Sequence, residues 1–109
     1  MPAPVELAES DGGRTVSIHV GDSVTVELHS TYWALGSPAP PGVLEAQGPP
    51  VVTPRLQGCV SGQGCGTVTG RYLATAPGET HLVAHRDTCG EAMPCPADQQ
   101  GWQVTLTVE

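Results

Sequence analysis

The segment GTVTGRYLATAPGETHLVAH, residues 66–85, decides how the chain is read. It consists of two extended runs that meet at Ala76-Pro77-Gly78. Proline presets φ at the first corner position and glycine accepts the positive φ that follows, so the chain reverses within a few residues. Beyond the corner, Leu82 and Ala84 alternate with His81, Val83 and His85, the period-two pattern of a half-buried strand. Before it, Tyr72 and Ala74 are the matching inward positions. One pair of cysteines, Cys59 and Cys65, precedes the segment, and another, Cys89 and Cys95, follows it.

Working outward, Thr15 to Val20 sets Val16, Ile18 and Val20 on one face, and Ser23 to His29 does the same with Val24, Val26 and Leu28. Gly21-Asp22 joins them either by a three-residue loop or by a crossing between two sheets; both keep the apolar sets together, and a two-residue hairpin does not. Val5 and Leu7 belong to a loosely ordered start or edge strand over residues 1–13, where Pro2 and Pro4 cannot donate to a ladder. Val43–Ala46 and Val51–Leu56 read as two short strands punctuated by prolines. Trp102, Val104, Leu106 and Val108 share one face of the closing strand.

Thirteen valines and eleven threonines in 109 residues favour pleated strands, because branched side chains suit that surface. Eleven prolines and fourteen glycines imply many turns, and no stretch keeps a 3.6-residue apolar period. The expected fold is all-β: an immunoglobulin-like antiparallel β-sandwich of seven to eight strands with disulfide-bridged loops, forming a single domain over residues 1–109. Its strands are assigned to 3–8 with 15–20, 23–29, 43–46, 51–56, 67–75, 79–85 and 102–108. That assignment gathers the loops 30–41, 57–66 and 86–101 at one pole, and the cysteines with them. With no phenylalanine present, Trp33 and Trp102 are expected to anchor the core.

The net charge of −7, with four arginines and no lysine, repels nucleic acid. No apolar run approaches the roughly 20 residues that span a bilayer. Four cysteines in so small a chain fit an oxidising compartment, hence a secreted or cell-envelope protein, and the lysine-free, Ala/Gly-rich usage is that of a high-GC bacterial genome. Both cysteine pairs have the spacing C-x5-C. Four cysteines allow three pairings; local bridges are favoured, and cross-loop bridges stay open.

The residues VGDSVTVEL (20–28), the aromatic pair Tyr32-Trp33, YLATAPGETHL (72–82) and WQVTLTV (102–108) together resemble the chagasin-type inhibitors of papain-like cysteine proteases, and more loosely exported bacterial immunoglobulin-like domains. The resemblance spans roughly residues 14–109 and implies the same sandwich. Inhibitors of that type enter a protease cleft with three loops. The first carries Asn-Pro-Thr-Thr-Gly-Tyr/Phe before a tryptophan, where this chain has Ser30-Thr31-Tyr32-Trp33. The second is glycine-rich, as is Gly62-Gln63-Gly64-Cys65-Gly66. The third begins Arg-Pro-Trp, where this chain has Arg86-Asp87-Thr88.

No catalytic set, metal site or cofactor is expected. A zinc site uses the tighter C-x2-4-C spacing. His81, His85, Cys89 and Met93 recur every fourth residue, but the two histidines stand about 13 Å apart along a strand, too far to share one copper ion. Asp87, Glu91 and Asp98 lack calcium-loop spacing. The function expected is a non-enzymatic, monomeric binding or accessory module that contacts a protein or polymer through Tyr32, Trp33, Gly62, Gly64, Arg86, Asp87, Glu91 and Met93. Rigid bridged loops suit recognition because less entropy is lost on docking. Inhibition of a papain-family cysteine protease and a structural spacer role in a larger envelope protein are the alternatives.

Overall fold

Val24, Val26 and Leu28 alternate with Thr25, Glu27 and His29, and the apolar set is wholly buried while its neighbours face outward. The same alternation buries Val68, Tyr72 and Ala74 on one long strand and Leu82 and Ala84 on the next. In the computed structural model, which describes residues 4–55, 57–59, 64–90, 93–96 and 100–109, these strands form two facing sheets. In chain order the strands are β1 (Pro4–Leu7), β2 (Thr15–Ile18), β3 (Ser23–His29), β4 (Ala34–Leu35), β5 (Leu44–Ala46), β6 (Val51–Pro54), β7 (Gly66–Ala74), β8 (Gly78–His85), β9 (Thr88–Gly90), β10 (Met93–Pro94) and β11 (Gly101–Val108).

The first sheet runs β1-β3-β7-β5, with β6 also on β7; the second runs β2-β11-β8-β4; β9 and β10 pair as a separate ribbon. β1 lies parallel to β3 and β2 parallel to β11, whereas the remaining pairs are antiparallel. The first strand of the sandwich is thus split: β1 climbs in one sheet, a 3-10 turn at Glu9–Asp11 carries the chain across, and β2 descends in the other. Gly21-Asp22 is likewise a crossing between sheets. The buried Asp22 carboxylate accepts the His19 backbone N–H at 2.8 Å and holds that corner. The Ala76-Pro77-Gly78 corner takes β7 in the first sheet to β8 in the second. The interior between the sheets is the expected one, with Leu28, Leu82, Val104 and Leu106 fully enclosed. Burial of this kind contributes about 1.5–3 kcal/mol per large aliphatic side chain.

Three expectations are corrected. Residues 30–41 do not form a single loop at the pole: Ala34–Leu35 pair with β8, and Gly36 and Ala39 continue along that strand through backbone bonds to Val83 and His81. Only residues 30–33 lie at the pole. The segments 43–46 and 51–56 are not two independent strands, because β5 pairs with Tyr72–Ala74 and β6 with Gly66–Thr69 on the same edge of β7. They are one edge strand interrupted at Gly48-Pro49-Pro50, where two successive prolines offer no N–H to the ladder. Val20 is 47 % exposed, since the pairing of β2 ends at Ile18 and the chain turns away. Counting β1 with β2 and β5 with β6, the described residues build seven sandwich strands plus the β9–β10 ribbon. Leu56 lies outside the described residues.

Gly70 faces the core from the middle of β7, and a side chain there has no room. A Cβ would fall 2.5 Å from Leu35 Cδ2 and 2.8 Å from the Tyr72 hydroxyl, because the Tyr72 ring folds back over the glycine two residues earlier. Burial pushes the Tyr72 phenol up to about 12 from its ordinary 10.0. A folded-state value above the unfolded one means stability is fully present below pH 10 and is lost as pH rises toward 12. Denaturant midpoints measured from pH 9 to 12 are expected to fall for the wild type. They should fall less steeply for Tyr72→Phe, whereas parallel curves would assign the alkaline loss elsewhere.

Candidate functional site

β3, β7 and β8 all present an end to the same pole, and three connections meet there: residues 30–33, the loop closing into Gly66, and the loop leaving His85. The first and second are tied by backbone bonds, Thr31 N–H to Gly64 O at 2.8 Å and Ser30 N–H to Gly66 O at 3.0 Å. Ser30 adopts φ +143°, a region that non-glycine residues rarely enter, and its Oγ accepts the Tyr32 N–H at 3.1 Å. Strain of this sort costs on the order of 1–3 kcal/mol and persists where the surroundings over-determine it. The Tyr32 ring packs on Gly64, so closely that a Cβ at Gly64 would lie 2.6 Å from its Cδ2. Gly64 also has φ +67°, so it is a glycine for both space and conformation.

The third connection docks on the first through Trp33 and Arg86. Trp33 is buried to 6 % exposure, and the Arg86 guanidinium carbon lies 4.5 Å from the centroid of its ring. A stacked guanidinium contributes about 0.5–2 kcal/mol and caps the indole against water. Trp33 Nε1 is a buried side-chain atom with no hydrogen-bond partner among the described residues. Trp33 therefore supports the pole from beneath, while the half-buried Tyr32 is part of its surface.

Both bridges are local, Cys59–Cys65 and Cys89–Cys95. In the chain-entropy picture each small ring adds roughly 2 kcal/mol by restricting the unfolded chain. The third loop is more ordered than its composition suggests. Within it β9 and β10 form a ribbon, Arg86 N–H donates to Gln100 O and Cys95 N–H to Asp87 O, both at 2.8 Å. The exposed Asp87 carboxylate meets His85 Nε2 at 2.7 Å. Met93 lies in β10. Gly62, Glu91 and Asp98 lie outside the described residues. Tyr32, Trp33, Gly64, Arg86 and Asp87 thus come together, and so do residues that the alternation could not reveal: Arg55, Ser30 and His29. Cys65 and Cys89, one from each bridge, line a common cleft of about 550 Å³ with His29, Ser30, Arg55, Gly64 and Arg86.

Beside the pole, the 3-10 turn packs against Trp102, whose Nε1 donates to Ala8 O at 3.0 Å. Glu9 reaches His29: the carboxylate accepts its backbone N–H at 2.7 Å and contacts Nδ1 at 3.0 Å. Partial burial works to raise the Glu9 carboxyl, but these hydrogen bonds outweigh it and hold the group below the usual carboxylate range. His81 contacts Thr105 Oγ1 at 2.9 Å. Among the described residues no three His, Cys, Asp or Glu side chains are grouped as metal ligands would be. Among the described residues no helix is long and apolar enough to cross a membrane.

The class defined by this arrangement is an immunoglobulin-like β-sandwich with three loops gathered at one pole, two of them disulfide-bridged. Solved structures with this fold include a cysteine protease inhibitor, EhICP2, from Entamoeba histolytica, at 11% sequence identity and TM-score 0.67 over 98% of this chain and 96% of that one. They also include amebosin, at 18% identity and TM-score 0.64, with 100% of both chains covered. At such identities the likeness is one of fold, and it bears out the chagasin-like scaffold expected from the sequence. No protein-family model matches the chain, and no curated protein matches it in sequence.

Proposed function

We propose that the protein is a secreted, non-enzymatic inhibitor of papain-like cysteine proteases that docks through the pole. The observation that carries the reading is the convergence of residues 30–33, Gly64–Gly66 and Arg86–Thr88 on a sandwich whose fold is that of a cysteine protease inhibitor. Inhibition of this kind needs occupancy of a cleft rather than chemistry. A wedge of rigid loops keeps substrate away, and its affinity depends on how little order it must gain on docking. Two bridges, the Arg86–Trp33 stack and the Thr31–Gly64 bond hold the wedge in shape beforehand.

In this reading Tyr32 supplies the aromatic contact at the tip, Gly62 and Gly64 are the proposed contacts from the middle loop, and Gly64 lets its backbone approach the protease closely. Arg86, Asp87, Glu91 and Met93 are the proposed contacts from the third loop, and Trp33 acts by positioning Arg86. The first loop lacks the Asn-Pro start and the third lacks Pro-Trp, so contacts are expected to differ in detail from those of chagasin-type inhibitors. The bridges fit an oxidising compartment, secreted or at the cell envelope of a bacterium. The coarser reading, a binding module for another protein, uses the same pole.

Papain assayed with a small fluorogenic peptide is expected to be inhibited with a nanomolar constant, and Tyr32→Ala to weaken inhibition at least tenfold without loss of the folded state. Absence of inhibition at micromolar concentration removes the protease reading and leaves only the module.

A further inference from the structure

The pole cleft gathers cationic side chains in a molecule that is acidic as a whole. The chain carries eleven carboxylates against four arginines, yet two of those arginines, Arg55 and Arg86, line this single cleft. None of the described residues that line it is an aspartate or glutamate. His29 reaches the cleft as well, with Glu9 and Glu27 holding its ring, and Arg86 is engaged by its stack on Trp33, so Arg55 is the cation the cleft offers to a ligand. Arg14, which does not line the cleft, pairs with Asp11 at 2.6 Å.

Arg55 is placed by the backbone rather than by its side chain. It follows Pro54, the last residue of β6, and its N–H donates to Cys65 O at 3.0 Å, so the 59–65 bridge and the β6–β7 pairing fix its Cα beside the cleft. Ser30, Thr53 and Thr67, each with a hydroxyl, line the same space. Ser30 Oγ already accepts from Tyr32 N–H, which leaves its proton to donate to a ligand. A guanidinium fork flanked by hydroxyl donors is complementary to a planar oxyanion, which it can grip through two parallel hydrogen bonds.

We infer that this cleft is an oxyanion pocket, with Arg55 as its principal ligand, that takes the carboxylate of an aspartate or glutamate side chain on a docking protein. The position supports a protein source, because the cleft opens between the loops proposed to meet the partner. An acidic residue entering it would orient the partner against a surface that otherwise repels carboxylates. The pocket requires no particular partner, so its test is independent of protease inhibition.

The experiment uses the whole chain, isotopically labelled, at low ionic strength with no protease present. Amide resonances are followed during titration with the peptide acetyl-Ala-Glu-Ala-Ala-amide, its glutamine counterpart, and sodium sulfate. The glutamate peptide is expected to shift the amides of Arg55, Gly64 and Thr67 saturably, and the glutamine peptide is not. Arg55→Gln should weaken this response at least tenfold, while Arg71→Gln, on the exposed face of β7, leaves it unchanged. Equal losses with both variants would mean diffuse charge attraction and overturn the pocket. A response to sulfate with none to the glutamate peptide would overturn the protein side chain as its source.

Discussion

Gly66→Ala is expected to dismantle the pole and to weaken inhibition of a papain-like protease at least a hundredfold. Gly66 has φ +135°, close to conformations that are almost exclusively glycine's. The obstacle is also steric. A Cβ at this position would be driven into the carbonyl oxygen of Thr53 and lie 2.8 Å from Pro54 Cα, and both obstacles are backbone. Neither can be moved by a change of rotamer, so β6 must leave β7 or the start of β7 must rotate. Either movement breaks the Ser30–Gly66 and Arg55–Cys65 backbone bonds, which hold the first loop and the cleft in register. Two lost hydrogen bonds and the conformational strain together amount to roughly 3–5 kcal/mol, enough for two orders of magnitude or more in affinity. Gly101→Ala is the control, because a Cβ there meets nothing within 4 Å and its φ is ordinary. Inhibition constants for the two variants against papain decide the matter. Retention of inhibition within twofold by Gly66→Ala would show that the protein docks by another surface.

The second large effect belongs to the core. Leu82 sits at the centre of the second sheet, is 0% exposed and lies opposite Val104 in the β8–β11 pairing. Truncation to alanine is expected to cost about 2–5 kcal/mol, transfer and cavity contributions together. Domains of this size are stable by about 5–15 kcal/mol, so a large fraction of the folded population's advantage disappears. Thermal unfolding should shift down by on the order of 10–20 °C. Val83, the next residue on the same strand, points outward and is 47% exposed; Val83→Ala should stay within about 0.5 kcal/mol. Similar melting temperatures for the two variants would be incompatible with the assigned register of β8.

The contrast between Leu82 and Val83 also marks what was legible beforehand. Period-two alternation located the inward positions of β3, β7, β8 and β11, because any strand with one face on a core must write that face into every second residue. The Pro-Gly corner and the local cysteine spacing were equally readable, since both are short-range features. β4 was missed because two residues cannot show a period. Val20 was misplaced because alternation runs on past the point where the partner strand stops. The collinearity of β5 and β6 has no local signature: each looks like a strand by itself, and only the shared edge of β7 makes them one.

The candidate site divides the same way. Tyr32, Trp33 and Arg86 stood out by residue type and loop position, but the stacking of Arg86 on Trp33 joins residues more than fifty positions apart. Arg55 carried no local signal at all, and Gly66 looked like any turn glycine until Thr53 and Pro54 were found against it. By itself the sequence determined the all-β class, the inward residues of the long strands and the clustering of the cysteines in loops, because these depend on spacing along one strand or one turn. The tertiary structure alone decided which strands share an edge, which glycines have no space for a side chain and which charges face one cleft. Those are contacts between distant segments, set by how the two sheets lie on each other.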